Sequence, residues 1–180
     1  MRRILYPLFV LSFCLLNASP AAADNSLYET FSRRSEVKVF VSTPTDVSEK
    51  KALDPAVLKA SIEKALKDRK SIHFKTDAAE SEADLAIDAE VKGFLFSESD
   101  PVDMLVGVGA AAMDAATIDH YAAAEAMFTV RDVKGGKVLW KEEVRATVTD
   151  HTMTEAESLQ KISDHLAEQL MRKAFGKKKK

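Results

Sequence analysis

The feature that most constrains the fold is a pair of alternating apolar segments joined by a glycine turn. Apolar residues occupy the even positions of both segments: Ala122, Ala124, Ala126, Phe128 and Val130, then Val138, Trp140, Val144, Ala146 and Val148. Directly opposed residues of an antiparallel pair share a face, so even positions must oppose even positions. The sequence therefore predicts a β-hairpin over Tyr121 to Thr149, with Val130 opposite Trp140 and one buried face.

The turn of this hairpin follows from the same parity. A three-residue loop of Lys134 to Gly136 pairs Val133 with Lys137 and keeps the apolar faces together, whereas a two-residue Gly-Gly loop mixes them. The three-residue loop needs a residue in the left-handed region, which glycine adopts at low cost. This register also places Glu125 opposite Arg145 on the solvent face and leaves Glu142 mismatched opposite Phe128.

The other predicted elements complete a small α/β domain. They are a strand over 36–41, a helix from the N-cap Asp54 to about Arg69, strands over 72–75 and from 84 to about 96, and a helix from the capping box of Thr154 and Glu157 to Phe175, ended by Gly176 as the C′ residue. The order is β-α-β-β, an insert, then β-β-α. We predict an α+β two-layer sandwich, with an antiparallel or mixed sheet of about five strands and both helices packed on one face.

The N-terminus predicts export. Residues 1–23 combine Arg2 and Arg3, an apolar run from Leu5 to Leu16, and the small residues 21–23, a pattern typical of a secretory signal peptide. We expect a mature protein that begins at Asp24 and works outside the cytoplasm, in the periplasm. Membrane anchoring as a lipoprotein through Cys14 is the alternative, and the bulky Phe13 before that cysteine disfavours it.

The mature chain then divides into four parts: a flexible segment over 24–35, a single α/β domain over 36–176, an insert within it over 97–120, and a basic tail over 177–180. Removal of the signal leaves 24 basic and 28 acidic residues, a formal charge of −4, which does not favour a nucleic-acid partner. The lone Cys14 leaves with the signal, so we expect neither disulfides nor thiol chemistry.

No residue pattern predicts catalysis, a cofactor or a metal. The Asp-His pairs at 119–120 and 150–151 resemble zinc ligands by type, but the hairpin register sets His120 opposite Asp150 on one face and Asp119 opposite His151 on the other. Cross-strand ion pairs are the expected result. The glycines at 107 and 109 lack the rest of a dinucleotide-binding loop, and no local nucleophile signature is present.

Two segments are candidates for interaction. The first is an uncharged run within the insert, whose large side chains are Met104, Leu105, Val106, Val108 and Met113. It is too short to span a bilayer, and it is either a buried crossover over the sheet or an apolar segment presented to a membrane or a partner protein. The second is the tail of Lys177, Lys178, Lys179 and Lys180, which is either solvated or in contact with anionic lipid or lipopolysaccharide phosphates.

The segments 82–87 (EADLAI) and 136–140 (GKVLW), together with the valine-rich first strand, resemble small uncharacterised bacterial envelope proteins. Some of those proteins are lipoproteins, and some are similar to accessory components of outer-membrane assembly or export systems. The resemblance implies a non-enzymatic accessory, assembly or binding role at a bacterial membrane, with an envelope protein or the membrane surface as partner.

Two alternative functions remain, a small secreted hydrolase and a soluble carrier of an apolar ligand. The hydrolase predicts a polar cleft with a strongly shifted carboxylate or histidine, and the carrier predicts an enclosed apolar cavity.

Overall fold

The computed structural model describes residues 27–49, 53–97, 120–150 and 153–177. The helices are α1 (Leu27–Phe31), α2 (Pro55–Lys67) and α3 (Glu155–Phe175), and a 3₁₀ turn spans Glu80–Glu82. The strands are β1 (Val37–Val41), β2 (Thr45–Asp46), β3 (Phe74–Lys75), β4 (Leu85–Ser97), β5 (His120–Asp132) and β6 (Val138–Asp150).

The six strands form one mixed sheet in the order β3-β1-β4-β5-β6, with β2 beside the middle of β4. β1 runs parallel to β3 and β4, whereas β4, β5 and β6 form an antiparallel meander. α2 and α3 pack together over one face of the sheet, where the odd positions of β4 and the even positions of β5 are buried. The predicted α+β two-layer architecture is therefore confirmed.

The predicted hairpin register is confirmed in its body and wrong at its turn. Val130 opposes Trp140, but a bulge at Leu139 then sets Arg131 opposite Val138, and the Asp132 amide donates to the Lys137 carbonyl. The loop consequently has four residues, 133–136, instead of three. The bulge absorbs the extra residue, and it also moves Val138 off the buried face, so that 46% of this side chain is exposed. Gly136 has φ +63°, the left-handed conformation that the turn was predicted to need.

Both glutamates singled out in the hairpin, Glu125 and Glu142, form ion pairs. Glu125 opposes Arg145, and their side chains form a salt bridge of 2.9 Å. Glu142 opposes Phe128 on the helix-facing side, where an apolar residue was expected, and it forms an ion pair with Lys173 of α3. Lys173 of α3 thus compensates the negative charge of Glu142, a residue that the alternating pattern of β6 does not explain.

Three local features differ from the sequence prediction. α1 forms within the segment expected to be flexible, because its side chains Leu27 and Phe31 are buried in the core. β2 pairs with β4 where a loop was predicted. The capping box at Thr154 is confirmed, but Gly176 at the other end of α3 has an extended backbone instead of a left-handed one. A Cβ on Gly176 would lie 2.0 Å from the Arg172 carbonyl oxygen, so close approach is what favours glycine there.

β6 is the edge strand of the sheet and is 13 residues long. Side chains of α3 reach its main chain: the His165 ring lies 3.2 Å from the Thr147 carbonyl oxygen, and Lys173 lies 3.5 Å from that of Glu143. The exposed residues Lys141 and Arg145 add positive charge to the strand. The edge is therefore long, charged and partly bonded by its own helix.

Candidate interaction surfaces

The face of the sheet opposite the helices carries a shallow apolar depression. It lies where β4 ends and β5 begins, has a volume of about 340 Å³, and is lined by Gly93, Leu95, Tyr121, Ala123 and Thr147 with neighbouring residues. A bulge between Val91 and Gly93 creates it, because the bulge shifts the parity of β4 so that Gly93 and Leu95 turn to the open face. A Cβ built on Gly93 meets no atom within 4 Å, so this part of the surface is uncovered by the described residues.

One rim of the depression is ionic. Arg145 donates to Glu125 at 2.9 Å and to Glu143 at 3.2 Å. The hydrogen bond that Arg145 donates to Glu125, together with the negative charge of Glu125, raises the pKa of Arg145 above its usual value. The rim therefore keeps its charges at neutral pH, while the floor consists of small and apolar side chains.

The other end of the open face, near the hairpin turn, is a closed polar cluster. Arg131 donates through Nε to Asp88 at 2.9 Å and through a terminal nitrogen to Glu80 at 2.6 Å, while the Ser42 hydroxyl donates to Asp88. These bonds, led by the one to Glu80, raise the pKa of Arg131. The cluster joins the end of β1, β4, β5 and the 3₁₀ turn, and its polar groups form hydrogen bonds with one another.

Asp84 ties the start of β4 to its surroundings. Its Oδ2 accepts from the Lys38 amide at 3.1 Å, and its Oδ1 lies 3.3 Å from the ammonium of Lys134 and 3.9 Å from Arg34. Burial alone would raise the pKa of Asp84, but the bond from Lys38 and the two nearby cations together lower it. This carboxylate therefore stabilises the fold in its ionised form.

A pH-dependent contribution to stability follows for Asp84. Because its folded-state pKa lies below the unfolded value of about 3.9, the stabilisation is present above that value and is lost as pH falls through the folded pKa. We expect Asp84→Asn to lower the free energy of unfolding by about 1 kcal/mol at neutral pH. Urea unfolding between neutral and strongly acidic pH should show this difference shrinking on acidification, and a difference that stays constant would contradict the assignment.

A second concave surface lies between α2 and α3. Ser61 of α2 donates to Asp164 of α3 at 2.7 Å, and Gln160 donates to Ser61 at 3.3 Å. Near the C-terminal ends of both helices, Arg69 donates to the carbonyl oxygens of Met171, at 3.2 Å, and of Phe175. The two helices therefore run in the same direction, with their C-terminal ends side by side.

The groove between these helix ends has a volume of about 570 Å³ and is open to solvent. Its charged lining residues are Lys64, Asp68, Arg69, Asp164, Glu168, Arg172 and Lys177. Burial lowers the pKa of the Arg69 guanidinium, and the nearby Tyr28 opposes this effect. Arg69 thus serves as a link from α2 to the last carbonyls of α3.

The residues predicted for interaction are only partly described. Positions 104–113 lie outside the described residues, as do Lys178, Lys179 and Lys180. Lys177 is exposed and lines the groove between the helices. The insert leaves and re-enters the sheet at Ser97 and His120, beside the apolar depression. The sequence analysis missed the depression itself.

The predicted pairing of His120 opposite Asp150 is confirmed, and Asp150 forms a salt bridge of 2.6 Å with Lys161. Asp119 and His151 lie outside the described residues. In the described part of the chain, no three His, Cys, Asp or Glu side chains are grouped as a metal site requires. Within those same ranges, no helix has the length and hydropathy to cross a membrane.

Among the described residues, every carboxyl group with a shifted pKa has a pKa below its usual value. Besides Asp84 they are Glu125, which accepts a hydrogen bond from Arg145, and Glu157, which accepts from the amide and hydroxyl of Thr154. A general acid needs the opposite shift.

No family model and no curated protein matches this sequence. Solved structures share its fold. A PelC dodecamer from Paraburkholderia phytofirmans is 14% identical, with a TM-score of 0.51 over 76% of this chain and 86% of that one. The hypothetical protein CT253 from Chlamydia trachomatis is 9% identical, with a TM-score of 0.52 over 79% and 97%. Protein XCC0632 from Xanthomonas campestris, of family DUF330, is 12% identical, with a TM-score of 0.50 over 76% and 82%.

Lipoproteins from Neisseria meningitidis and Acinetobacter baumannii match more weakly, each with a TM-score of 0.41. The predicted resemblance to small, uncharacterised bacterial proteins is confirmed at the level of the fold by the matches with TM-scores of 0.50 to 0.52.

Proposed function

We propose that this protein is a non-enzymatic component of the bacterial envelope that binds a partner protein through the open face of its sheet. The observation that carries the proposal is the apolar depression around Gly93 and Ala123, bounded by the ion pair of Glu125 and Arg145. An apolar centre with a charged rim is the usual anatomy of a protein–protein interface. The signal-like N-terminus supports a location outside the cytoplasm, either free or anchored.

A binding role agrees better with the described residues than either alternative. A hydrolase needs a cleft in which a carboxylate or histidine is tuned for proton transfer, and the shifted carboxylates here are stabilised in the ionised form. A carrier needs an enclosed apolar cavity, and both concave surfaces described above are open. The insert, with its uncharged run from Met104 to Met113, begins and ends beside the depression and is proposed to take part in the same interaction.

Substitution in the depression tests the proposal. Ala123→Glu places a charge on the apolar floor, close to Glu125, and should reduce recovery of the protein's crosslinked envelope partners about tenfold, since an interface centre residue typically contributes more than about 1 kcal/mol. The measurement is crosslinking in intact cells, affinity purification of the protein, and quantitative mass spectrometry of the captured partners.

Ala60→Glu is the matched control, because Ala60 is exposed on α2, away from the open face. It should leave partner recovery unchanged, and both variants should melt close to the parent temperature. Equal recovery with Ala123→Glu and the parent protein would remove the support for this surface.

A further inference from the structure

The C-terminal ends of α2 and α3 bring an excess of positive charge to one place. Five exposed cations lie there, and we call them the helix-end patch: Lys64, Lys67, Lys70, Arg172 and Lys177. Asp68, Asp164 and Glu168 are the acidic residues that line the groove. In the sequence, three more lysines follow Lys177.

None of these cations forms a salt bridge within the described residues, although Arg172 donates a hydrogen bond to Gln169 of its own helix. The salt bridges within the described residues use other cations, namely Arg34, Lys92, Arg131, Lys134, Arg145, Lys161 and Lys173. Arg69 already donates to the last carbonyls of α3, which is the usual task of a cation at a helix C-terminus. The patch therefore concentrates solvated positive charge beyond what the helix ends require.

At the opposite end of the domain, β4 and β5 join the insert, whose sequence has the opposite charge. Strand β4 leads into the insert at that end, and from residue 93 to residue 130 the sequence contains no lysine or arginine. Positions 98–119 include five acidic residues: Glu98, Asp100, Asp103, Asp114 and Asp119. The cations of the helix-end patch thus lie at the far end of β4 and β5 from Ser97 and His120, the strand residues that border this acidic sequence.

The start of the described chain lies at the positive end. α1 packs against α3, and Arg34, just after α1, lies 3.9 Å from Asp84 at the start of β4. Tyr28 of α1 is close enough to Arg69 to influence its pKa. The segment that links the domain to its N-terminus and the segment that carries the lysine tail consequently leave from the same end.

From this arrangement we propose that the helix-end patch binds the surface of an anionic phospholipid bilayer. The phosphates would lie against the two helix ends, and the end of β4 at Ser97 and the start of β5 at His120 would point away from the membrane. Each basic residue near such a surface strengthens binding about fivefold, and the attraction extends about 10 Å at moderate salt. The proposal is independent of the partner-binding role of the open face.

Vesicle sedimentation tests the proposal with the full exported protein. We expect binding to vesicles of equal parts phosphatidylcholine and phosphatidylglycerol, little binding to pure phosphatidylcholine, and release by added sodium chloride. The triple variant Lys64→Gln, Lys67→Gln, Lys70→Gln should weaken binding to the anionic vesicles by about a hundredfold. The matched control Lys92→Gln, Lys141→Gln, Lys161→Gln removes the same charge elsewhere on the surface and should keep most of the binding.

Several outcomes would overturn the proposal. They are equal binding to both vesicle types, parent-like binding by the helix-end variant, and equal losses in the two triple variants, which would indicate net charge instead of a patch. Displacement by inorganic phosphate, but not by chloride at the same ionic strength, would identify a discrete anion site and not a membrane surface. Thermal melting of both variants establishes that they are folded. Unchanged crosslinking to envelope partners would show that the open face still binds, so failure of the membrane proposal can be told apart from failure of the partner-binding proposal.

Discussion

Replacing Phe128 with alanine should lower the free energy of unfolding by about 3 to 5 kcal/mol, a large part of the stability of an ordinary domain. Phe128 is fully buried in the middle of β5, between Ala89 of β4 and Glu142 of β6. Its nearest neighbours on the same face of β5 are Ala126 and Val130, whose short side chains cannot extend to fill the space. The lost contacts would therefore leave a cavity under α3.

Urea unfolding followed by circular dichroism measures this change. Thr129→Ala is the matched control, because Thr129 is the next residue of the same strand and turns to the open face. It should change the free energy of unfolding by less than about 1 kcal/mol. A similar loss in both variants would mean that strand propensity, and not the filling of the core, dominates at this position.

The second large effect is expected at Arg69. Arg69→Met keeps much of the aliphatic side chain but removes the donors to the carbonyls of Met171 and Phe175. Bonds from a charged donor contribute about 1.5 to 3 kcal/mol, and two are lost, but the Nε of Arg69 is itself buried without a partner among the described residues. We expect a net destabilisation of about 2 to 3 kcal/mol.

The location of this effect distinguishes it from a general loss of packing. Hydrogen exchange should accelerate mainly in the last turn of α3, because that is where Arg69 bonds to main-chain carbonyls. Lys67→Met, two residues earlier at the exposed last position of α2, should leave that exchange unchanged. Uniform acceleration across the sheet in Arg69→Met would contradict a local role.

Long alternating strands were the predictable part of this fold. The parity of β5 and β6 admits one pairing of buried faces, so Val130 opposite Trp140 followed from the residues alone. The loop length did not follow, because a bulge at Leu139 allows four loop residues with the same register in the body of the hairpin. β2 and α1 are too short for periodicity to reveal them, and α1 depends on burial of Leu27 and Phe31 by distant parts of the chain.

The candidate surfaces were harder to predict than the strands. Gly93 and Leu95 reach the open face only because the bulge after Val91 changes parity, and a uniform alternation assigns them to the wrong sides. The groove joins residues far apart in sequence, such as Arg69 and Phe175, whose proximity depends on the parallel packing of two helices. Pattern within one element carries no information about such contacts. The lysine tail, by contrast, was visible from composition.

The bonding of β6 by its own helix has a consequence for how this protein behaves at high concentration. An unpaired strand of that length is a template on which other chains can stack and form insoluble aggregates. Here the ring of His165 and the ammonium of Lys173 occupy two of the carbonyls along that strand, and Lys141 and Arg145 repel an approaching copy of the same edge. The last helix thus hinders the pairing of β6 with other chains, in addition to its part in the core.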